Sequence, residues 1–389
     1  MENSNETNWN EELEEEVSVR EPRSLVVFSR DWTVETIVRQ IDRGNIELNP
    51  KFQRRNAWND EKRSKLIESL LIGVPVPEIV LAEDREKKGS FIVIDGKQRL
   101  LSVAGYTNSD KFQFWDSPKL RSLKTLKDLN GKGFDELTED GKESDIQREL
   151  LNADIRCTII SNYADVGVLY DIFYRLNAAS VPLSSQELRQ VLNRGPFADF
   201  IIESTNTIIP LHRVLRLDGP DARLRDAEIL LRFIAFTLYG KEYDGNLMPF
   251  LDAAMAKINK NWDTISRDIE TIFNDFNTAT NIMLDIFPQN KVGRKFNLTG
   301  WESRFNRALY EVQVYYFARC KDTDIASKKD NIVSAFEELC SKNSDFRSSI
   351  ETSTKNIDRY FTRFSLFQSM INATLGISIN DIPVVVERK

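Results

Sequence analysis

Histidine is almost absent from this chain of 389 residues, in which His212 is the only one. HNH nucleases need a catalytic histidine and usually a second one for the metal, and zinc hydrolases with histidine ligands need several. The sequence therefore argues against HNH and histidine-zinc chemistry in this chain. We expect His212 to act as a local hydrogen-bonding residue.

Cysteine is also scarce, and the three cysteines, Cys157, Cys320 and Cys340, lie far apart in the sequence. An odd and scattered set makes neither a disulfide framework nor a zinc ribbon. We expect all three to be buried as small hydrophobic side chains. Their pattern predicts a reducing, cytoplasmic location.

Long apolar runs are missing as well. The longest, from Ile229 to Leu238, contains Arg232 and falls well short of the roughly 20 residues of a transmembrane helix. We therefore expect no membrane partner. The chain also lacks the patterns Gly-x-x-x-x-Gly-Lys-Ser/Thr and Gly-x-Gly-x-x-Gly, which argues against a P-loop enzyme and a Rossmann-type dinucleotide site.

The net charge of −7 is concentrated at one end of the chain. Residues 1–23 hold eight Glu against Arg20 and Arg23, a net charge of −6, so the remainder sums to −1. We expect residues 1–23 to be a disordered acidic tail. A nearly neutral body neither excludes nucleic acid as a partner nor argues for it.

Hydrophobic periodicity divides the chain into two parts and predicts an α+β fold. Strands alternate with helices up to about residue 195, and only the helical period follows. We expect a sheet domain at 24–195 and an all-α domain at 196–389, with helices at 196–205, 225–239, 248–258, 261–286, 301–319, 328–342 and 355–374. The glycine-interrupted stretch from Asp110 to Glu143 is predicted to be a mobile excursion and a candidate lid.

Capping signals predict where three helices of the first domain begin. Thr33 and Asn59 each precede a run with helical spacing of apolar residues, and Ser184 to Glu187 forms a capping box. The capping box gives Glu187 a structural role, so we rank it below the site residues named next.

The stretch 90–101 has the pattern of an anion site. Ser90 to Ile94 is predicted to be a buried strand, Asp95-Gly96 a turn, and Lys97 to Tyr106 a helix. A helix N-terminus offers N–H groups and a positive dipole, and glycine lets a phosphate approach the backbone. Arg99 would fork onto that phosphate, and Asp95 would hold a divalent metal beside it or polarise a water.

Four ordered motif boxes give the chain a resemblance to a known family. The boxes are Asn49-Pro50-Lys51-Phe52-Gln53-Arg54-Arg55-Asn56-Ala57-Trp58, Leu66 to Pro77, Ile94-Asp95-Gly96-Lys97-Gln98-Arg99-Leu100, and Phe173-Tyr174-Arg175-Leu176-Asn177 followed by Pro182-Leu183-Ser184 and Glu187-Leu188-Arg189. Together they resemble the GmrS-type (GmrSD N-terminal) domain family, as a single module without the HNH domain. Their Asp-Gly-x-x-Arg turn is similar to the phosphate-binding turn of the ParB/sulfiredoxin superfamily, so the resemblance implies a ParB-like sheet domain.

The resemblance implies nucleotide binding, with hydrolysis of a nucleoside triphosphate left open, inside a bacterial restriction or anti-phage module. It also implies Mg²⁺ as cofactor and, as partners, a nucleotide, DNA and a DNA-cleaving or effector protein, with oligomerisation left open. The expected catalytic residues are Asp95 and Gln98, with Asp95 as the metal ligand. The expected phosphate- or nucleotide-binding residues are Gln53, Arg54, Gly96, Lys97, Arg99, Arg175 and Asn177.

Two other functions stay open at this point. One is a ParB-like nuclease that nicks DNA with Asp95 and Arg99. The other is a non-catalytic DNA-recognition or assembly subunit. Lys97 favours the latter, because the family usually has glutamine at this position.

Overall fold

The computed structural model describes residues 25–46, 48, 58–85, 87–138, 144–164, 168–170, 172, 184–288, 290–320 and 323–385. The acidic tail expected at residues 1–23 lies outside them. The described chain forms two compact units that divide between Leu192 and Asn193. The first unit contains a four-stranded sheet and the second is mostly helical, which confirms the predicted α+β class.

The first unit consists of β1 (Val26–Thr33), α1 (Val34–Asp42), α2 (Asp60–Leu71), β2 (Ile79–Glu83), β3 (Phe91–Asp95), α3 (Lys97–Thr107), α4 (Asp145–Asn152), β4 (Asp154–Ser161) and α5 (Ser185–Leu192). The strand order is β1-β4-β2-β3. Strand β4 pairs antiparallel with β1 and parallel with β2, and β2 pairs antiparallel with β3. The end of β3 therefore lies beside the start of β2.

Period-two alternation in β4 shows which face of the sheet is packed. Ile155, Cys157 and Ile159 point into a core that they share with residues of α1, α2, α3 and α4. Arg156 is exposed and Thr158 half-buried on the opposite face. The helical layer on the first face fixes the position of α3, whose start follows the β3 turn.

The capping predictions are confirmed. The Thr33 hydroxyl accepts the N–H of Thr36 at the start of α1, and the Asn59 side chain accepts the N–H of Lys62 at the start of α2. At α5, the Ser184 N–H donates to Glu187 Oε2 at 2.6 Å, and the Glu187 N–H donates to Ser184 Oγ at 3.1 Å.

The expected mobile excursion at 110–143 is wrong for its described part, residues 110–138. Trp115, Leu120 and Leu129 from this stretch are buried in the main core. The buried Glu68 carboxylate of α2 accepts the N–H groups of Thr125 and Leu126 at 2.7 and 3.0 Å. Glycines at turns suggested mobility, whereas leucines at irregular spacing pack the stretch onto the sheet domain.

The second unit consists of α6 (Pro196–Thr205), α7 (Pro210–Leu215), α8 (Arg225–Tyr239), α9 (Leu247–Lys260), α10 (Trp262–Ile286), β5 (Phe296–Asn297), β6 (Gly300–Trp301), α11 (Arg307–Arg319), α12 (Lys329–Lys342), α13 (Ser344–Glu351) and α14 (Ile357–Leu375). Six of the predicted helices match to within two residues at each end, and α11 begins six residues later than predicted. The short helices α7 and α13 were not predicted. Apart from the short β5–β6 hairpin, the second unit is helical, as predicted. None of the described helices is both long enough and apolar enough to cross a bilayer.

His212 has the structural role that the sequence predicted. It is fully buried in α7, and its Nδ1 accepts the N–H of Ile209 at 3.0 Å. This bond requires the proton of the neutral ring to be on Nε2, which lies 2.8 Å from Asp226 Oδ2. All three cysteines are also buried and free, as expected.

Candidate functional site

The turn between β3 and α3 needs a glycine at position 96. Gly96 has φ +93°, and a Cβ at this position would lie 2.9 Å from Ile79 Cγ1 and 3.1 Å from Ile79 Cα. Side chains are strained at this φ, and the neighbouring backbone leaves no room for one. Gly96 is also the N-cap residue of α3, so no side-chain cap covers the start of that helix. The positive end of the α3 dipole therefore lies at this turn.

Asp95 and Arg99 form an ion pair across this turn. Arg99 Nη2 lies 2.7 Å from Asp95 Oδ2 and donates to the Glu78 carbonyl oxygen at 2.9 Å. Arg99 is mostly buried, and its Nε has no hydrogen-bond partner within the described part of the chain. The Asp95 side chain remains 42% exposed. Arg99 therefore holds the turn closed, while Asp95 presents an outer edge to solvent.

Lys97 is the first residue of α3, and the burial of its ammonium group is energetically unfavourable. Burial lowers its pKa to about 8, although the nearby Glu187 carboxylate acts in the opposite direction. A substantial fraction of the Lys97 side chains is therefore neutral just above physiological pH. A partly buried ammonium group interacts more strongly with an incoming anion than a fully hydrated one does.

Gln98 connects α3 to the last residue of the Phe-Gln-Arg…Trp box. Its Oε1 accepts the N–H of Trp58 at 3.0 Å. On the other side, the Trp58 carbonyl accepts from Nε of the buried Arg63 at 3.0 Å, and Arg63 Nη1 donates to the Phe114 carbonyl at 2.6 Å. The end of that box is thus clamped between the starts of α2 and α3.

Helix α5 carries a feature that the sequence analysis missed. Five consecutive or nearly consecutive polar side chains on it are buried: Ser185, Gln186, Glu187, Arg189 and Gln190. Gln186 Oε1 accepts from Arg189 Nη1 at 2.8 Å. The Nε2 atoms of Gln186 and Gln190 have no hydrogen-bond partner in the described residues. Nothing in the sequence distinguishes these side chains from a solvated face except the capping box of Glu187.

The second face of the sheet carries polar groups near the same turn. Thr158 Oγ1 donates to Glu78 Oε2 at 2.8 Å, immediately before β2, and Arg156 forms two bonds to Asp31 at 3.0 and 3.2 Å. Arg156 and Asp31 are exposed, whereas Ile160 on the same face of β4 is buried. The polar part of this face is therefore confined to the neighbourhood of β1 and Glu78.

The described site residues converge on the first turn of α3. Trp58 from the first box contacts Gln98, and Glu187 after the fourth box lies beside Lys97. The expected residues Gln53, Arg54, Arg175 and Asn177 lie outside the described residues. Among the residues that are described, no group of three or more His, Cys, Asp or Glu side chains is placed to hold a metal ion. Asp95 presents a partly exposed carboxylate at this turn.

One comparison with known protein families finds a match within the first unit. Residues 34–192 match the model of the family described as "GmrSD restriction endonuclease, N-terminal domain". No curated protein matches the chain significantly. The family match ends at Leu192, where the first compact unit also ends. It confirms the resemblance inferred from the motif boxes: residues 34–192 belong to the N-terminal domain family of the GmrSD restriction endonucleases.

Proposed function

We propose that the first unit binds a nucleoside triphosphate at the β3–α3 turn and reports the bound state within a restriction or anti-phage module. The family's description supplies the restriction context. The observation that supports the nucleotide is the uncapped start of α3, which carries Lys97 and Arg99 beside a glycine with φ +93°.

Each described residue has a separate part in this proposal. The N–H groups after Gly96 and the Lys97 ammonium bind phosphate oxygens, because both are cationic or dipolar donors at a helix N-terminus. Arg99 shapes the turn and adds positive charge. Asp95 and the phosphates together hold Mg²⁺, which usually takes one or two carboxylates along with substrate phosphates. Gln98 positions Trp58 at the edge of the site.

Gln53, Arg54, Arg175 and Asn177 complete the proposed site as additional donors to the nucleotide. Their part rests on the motif boxes alone. The neighbours of these boxes, Trp58 and Glu187, both lie at the first turn of α3. This convergence is the reason for assigning the two boxes to one site.

The direct test is a binding screen of the four nucleoside triphosphates with Mg²⁺, which also measures phosphate release. We expect the wild-type protein to bind at least one of them. Lys97→Gln should weaken that binding about tenfold or more, because a charge-assisted contact contributes roughly 1.5–3 kcal/mol. Lys119→Gln is the matched control, since Lys119 is exposed in the same unit and pairs with Glu136 at the surface.

The same screen separates the proposal from its alternatives. Binding without phosphate release would support a sensor and remove the hydrolase. No binding of any triphosphate by the folded wild-type protein would contradict the proposal and favour a DNA-recognition or assembly subunit. Equal affinities for wild type and Lys97→Gln would show that the Lys97 ammonium does not bind the nucleotide.

A further inference from the structure

A second group of buried charges lies in the helical unit, between α8, α11 and α14. Arg232 is 8% exposed and Arg363 only 1%, and the carboxylates of Glu228 and Glu311 are each 7% exposed. Arg307, at the start of α11, is 22% exposed. Charges rarely lie so deep unless they are paired or bind a ligand.

The ion pairs within this group do not balance its charge. Arg232 bonds to Glu228 at 2.6 Å and to Glu311 at 2.7 Å. Arg307 shares Glu228 at 3.1 Å, and Arg363 shares Glu311 at 3.5 Å. Among these ion pairs of the described residues, two carboxylates serve three guanidinium groups, which leaves a net charge of +1. A buried surplus of one charge is unfavourable unless an anion compensates for it.

A pocket opens at this surplus charge, and the N-terminus of α11 forms part of its wall. Its lining includes all three arginines, Lys355, Ala308 and Glu311, whose carboxylate is paired with Arg232 and Arg363. The N-cap Asn306 accepts the N–H of Leu309 and donates to the Ile350 carbonyl, and there is no acidic residue in the first turn. The N–H groups of the first two helical residues therefore remain at the pocket wall.

Unsatisfied donors in the pocket wall point to the same kind of ligand. The Nε atoms of Arg363 and Arg307 are buried and have no hydrogen-bond partner within the described residues. The other two nitrogens of Arg363 are used by Thr354 O at 2.7 Å and Glu311 Oε2 at 3.5 Å. Buried donors of this kind usually have a partner, from the protein or from a bound species. Only an acceptor with negative charge satisfies both these donors and the charge balance.

We propose that this pocket binds a single phosphate-class oxyanion. The cavity, about 20 Å³, is too small for a nucleoside, so only one small charged group can enter it. Guanidinium groups and helix N-termini are the standard protein donors to such anions. The anion is either free phosphate or the terminal phosphate of a longer molecule whose remainder lies outside the pocket. The site is independent of the β3–α3 turn, because all its residues belong to the helical unit.

The test measures thermal unfolding of the full chain during titration with inorganic phosphate at constant ionic strength. We expect the melting temperature of the wild-type protein to rise and saturate. Lys355→Gln should shift the midpoint to roughly tenfold higher phosphate, because it removes one charge from the pocket wall and keeps the side-chain stem. Lys342→Gln is the matched control, since Lys342 is an exposed lysine at the end of α12 and pairs with Glu338.

Two further measurements distinguish binding in this pocket from a general effect of phosphate and from binding at the β3–α3 turn. Phosphate stabilises many proteins by exclusion from their surface, but that effect does not saturate and would be equal in Lys355→Gln. Lys97→Gln should keep the saturable response if the anion binds in the helical unit. A titration with a nucleoside triphosphate on the Lys97→Gln background tests whether the anion is the end of a nucleotide.

A non-saturating rise shared by all variants overturns the proposal. A saturating rise that Lys97→Gln abolishes and Lys355→Gln retains overturns it as well. Should Lys355→Gln be misfolded by circular dichroism, Arg307→Lys takes its place. It keeps the charge but removes the planar guanidinium, so it should also weaken phosphate binding.

Discussion

Lys97 carries a cost in stability that its role as an anion ligand explains. Its pKa falls to about 8 in the folded protein because of burial, against 10.5 for a free lysine. The unfolded chain therefore binds more protons between these two pH values, and this residue's contribution to stability rises with pH through that window. Below pH 8 the full penalty applies, about 3 kcal/mol from the size of the shift.

Lys97→Met should therefore stabilise the protein at pH 7, by up to about 3 kcal/mol, while it removes nucleotide binding. The gain should shrink as the pH rises from 8 towards 10.5. Urea unfolding of wild type and variant at pH 7 and pH 10 measures both quantities. A loss of stability at pH 7 would show that the Lys97–Glu187 attraction outweighs the burial of the ammonium.

The same titration predicts a pH dependence of ligand binding. The outer phosphate of a nucleotide is fully ionised above about pH 7.5, because its last pKa lies near 6. Any weakening of nucleotide binding between pH 7.5 and 9.5 must then come from a titrating group of the protein. We expect the affinity to fall as Lys97 loses its proton around pH 8. Lys97→Gln should bind weakly and with little pH dependence. An identical pH profile in both proteins would assign the titration to another group.

Gly96 and Gly89 allow a matched test of how closely Ile79 packs against the β3–α3 turn. Both have positive φ, but a Cβ on Gly89 meets nothing within 4 Å, whereas on Gly96 it meets Ile79 at 2.9 Å. Gly89→Ala should cost about 1 kcal/mol from backbone strain alone, and Gly96→Ala about 2–4 kcal/mol because overpacking adds to it. Chemical denaturation of both variants gives the difference. Equal costs would mean that β2 moves away from the turn without penalty.

At the scale of elements, the sequence predicted the features that depend on neighbouring residues, but not those that depend on packing between distant residues. Thr33, Asn59 and Ser184 start their helices as the sequence predicted, because capping depends only on a side chain and a backbone N–H a few residues away. Strand β3 was predicted to within one residue at each end, because a continuous apolar run of this length before a turn signal favours a buried strand.

The elements that were missed depend on distant contacts. Helix α7 has only six residues, too few for a helical period to be recognised, and its position follows from the buried His212–Asp226 pair. The stretch 110–138 lacks any period, so its packing on the core through Trp115 and Glu68 was invisible in the sequence. The buried polar face of α5 was unreadable for the same reason, since a run of Gln, Glu and Arg usually predicts solvent exposure.

Gln98 provides the element-scale prediction, because it joins α3 to the start of α2. Gln98→Ala leaves the Trp58 N–H without its acceptor, which should cost about 1–2 kcal/mol. Amide hydrogen exchange of residues 58–63 should accelerate, and nucleotide affinity should fall. Gln113→Ala, an exposed glutamine of the same unit, should change none of these. Unchanged exchange in Gln98→Ala would show that Arg63 alone holds Trp58 in place.

At the scale of the whole molecule, the two units divide the proposed tasks. The unit that ends at Leu192 matches the family model and carries the β3–α3 turn, and the unit that follows carries the pocket at the start of α11. Each proposed site is rich in arginine or lysine, although the chain as a whole is acidic. Locally concentrated positive charge suits small anions, whereas a duplex needs a broad basic surface.

The remaining question for the whole molecule is whether this chain cuts DNA, and we expect that it does not do so alone. Its only histidine is fully buried, and both ring nitrogens of His212 are engaged, by Ile209 N–H and by Asp226. HNH chemistry needs an accessible imidazole that can take a proton from water, so His212 cannot serve it. We therefore propose that a DNA-cleaving partner performs the cut and that nucleotide binding at the β3–α3 turn controls that partner.

Supercoiled plasmid, with and without modified bases, provides the test in the presence of Mg²⁺ or Mn²⁺ and each nucleoside triphosphate. The purified chain should leave it intact. Asp95 is the carboxylate that a metal-dependent nuclease at the turn would require, because its side chain is 42% exposed beside Arg99. Nicking by the wild-type protein that disappears in Asp95→Ala would overturn the prediction and assign the turn to phosphodiester cleavage. Nicking that persists in Asp95→Ala and separates from the protein on further purification would come from a contaminant, because it would depend neither on the Asp95 carboxylate nor on the protein.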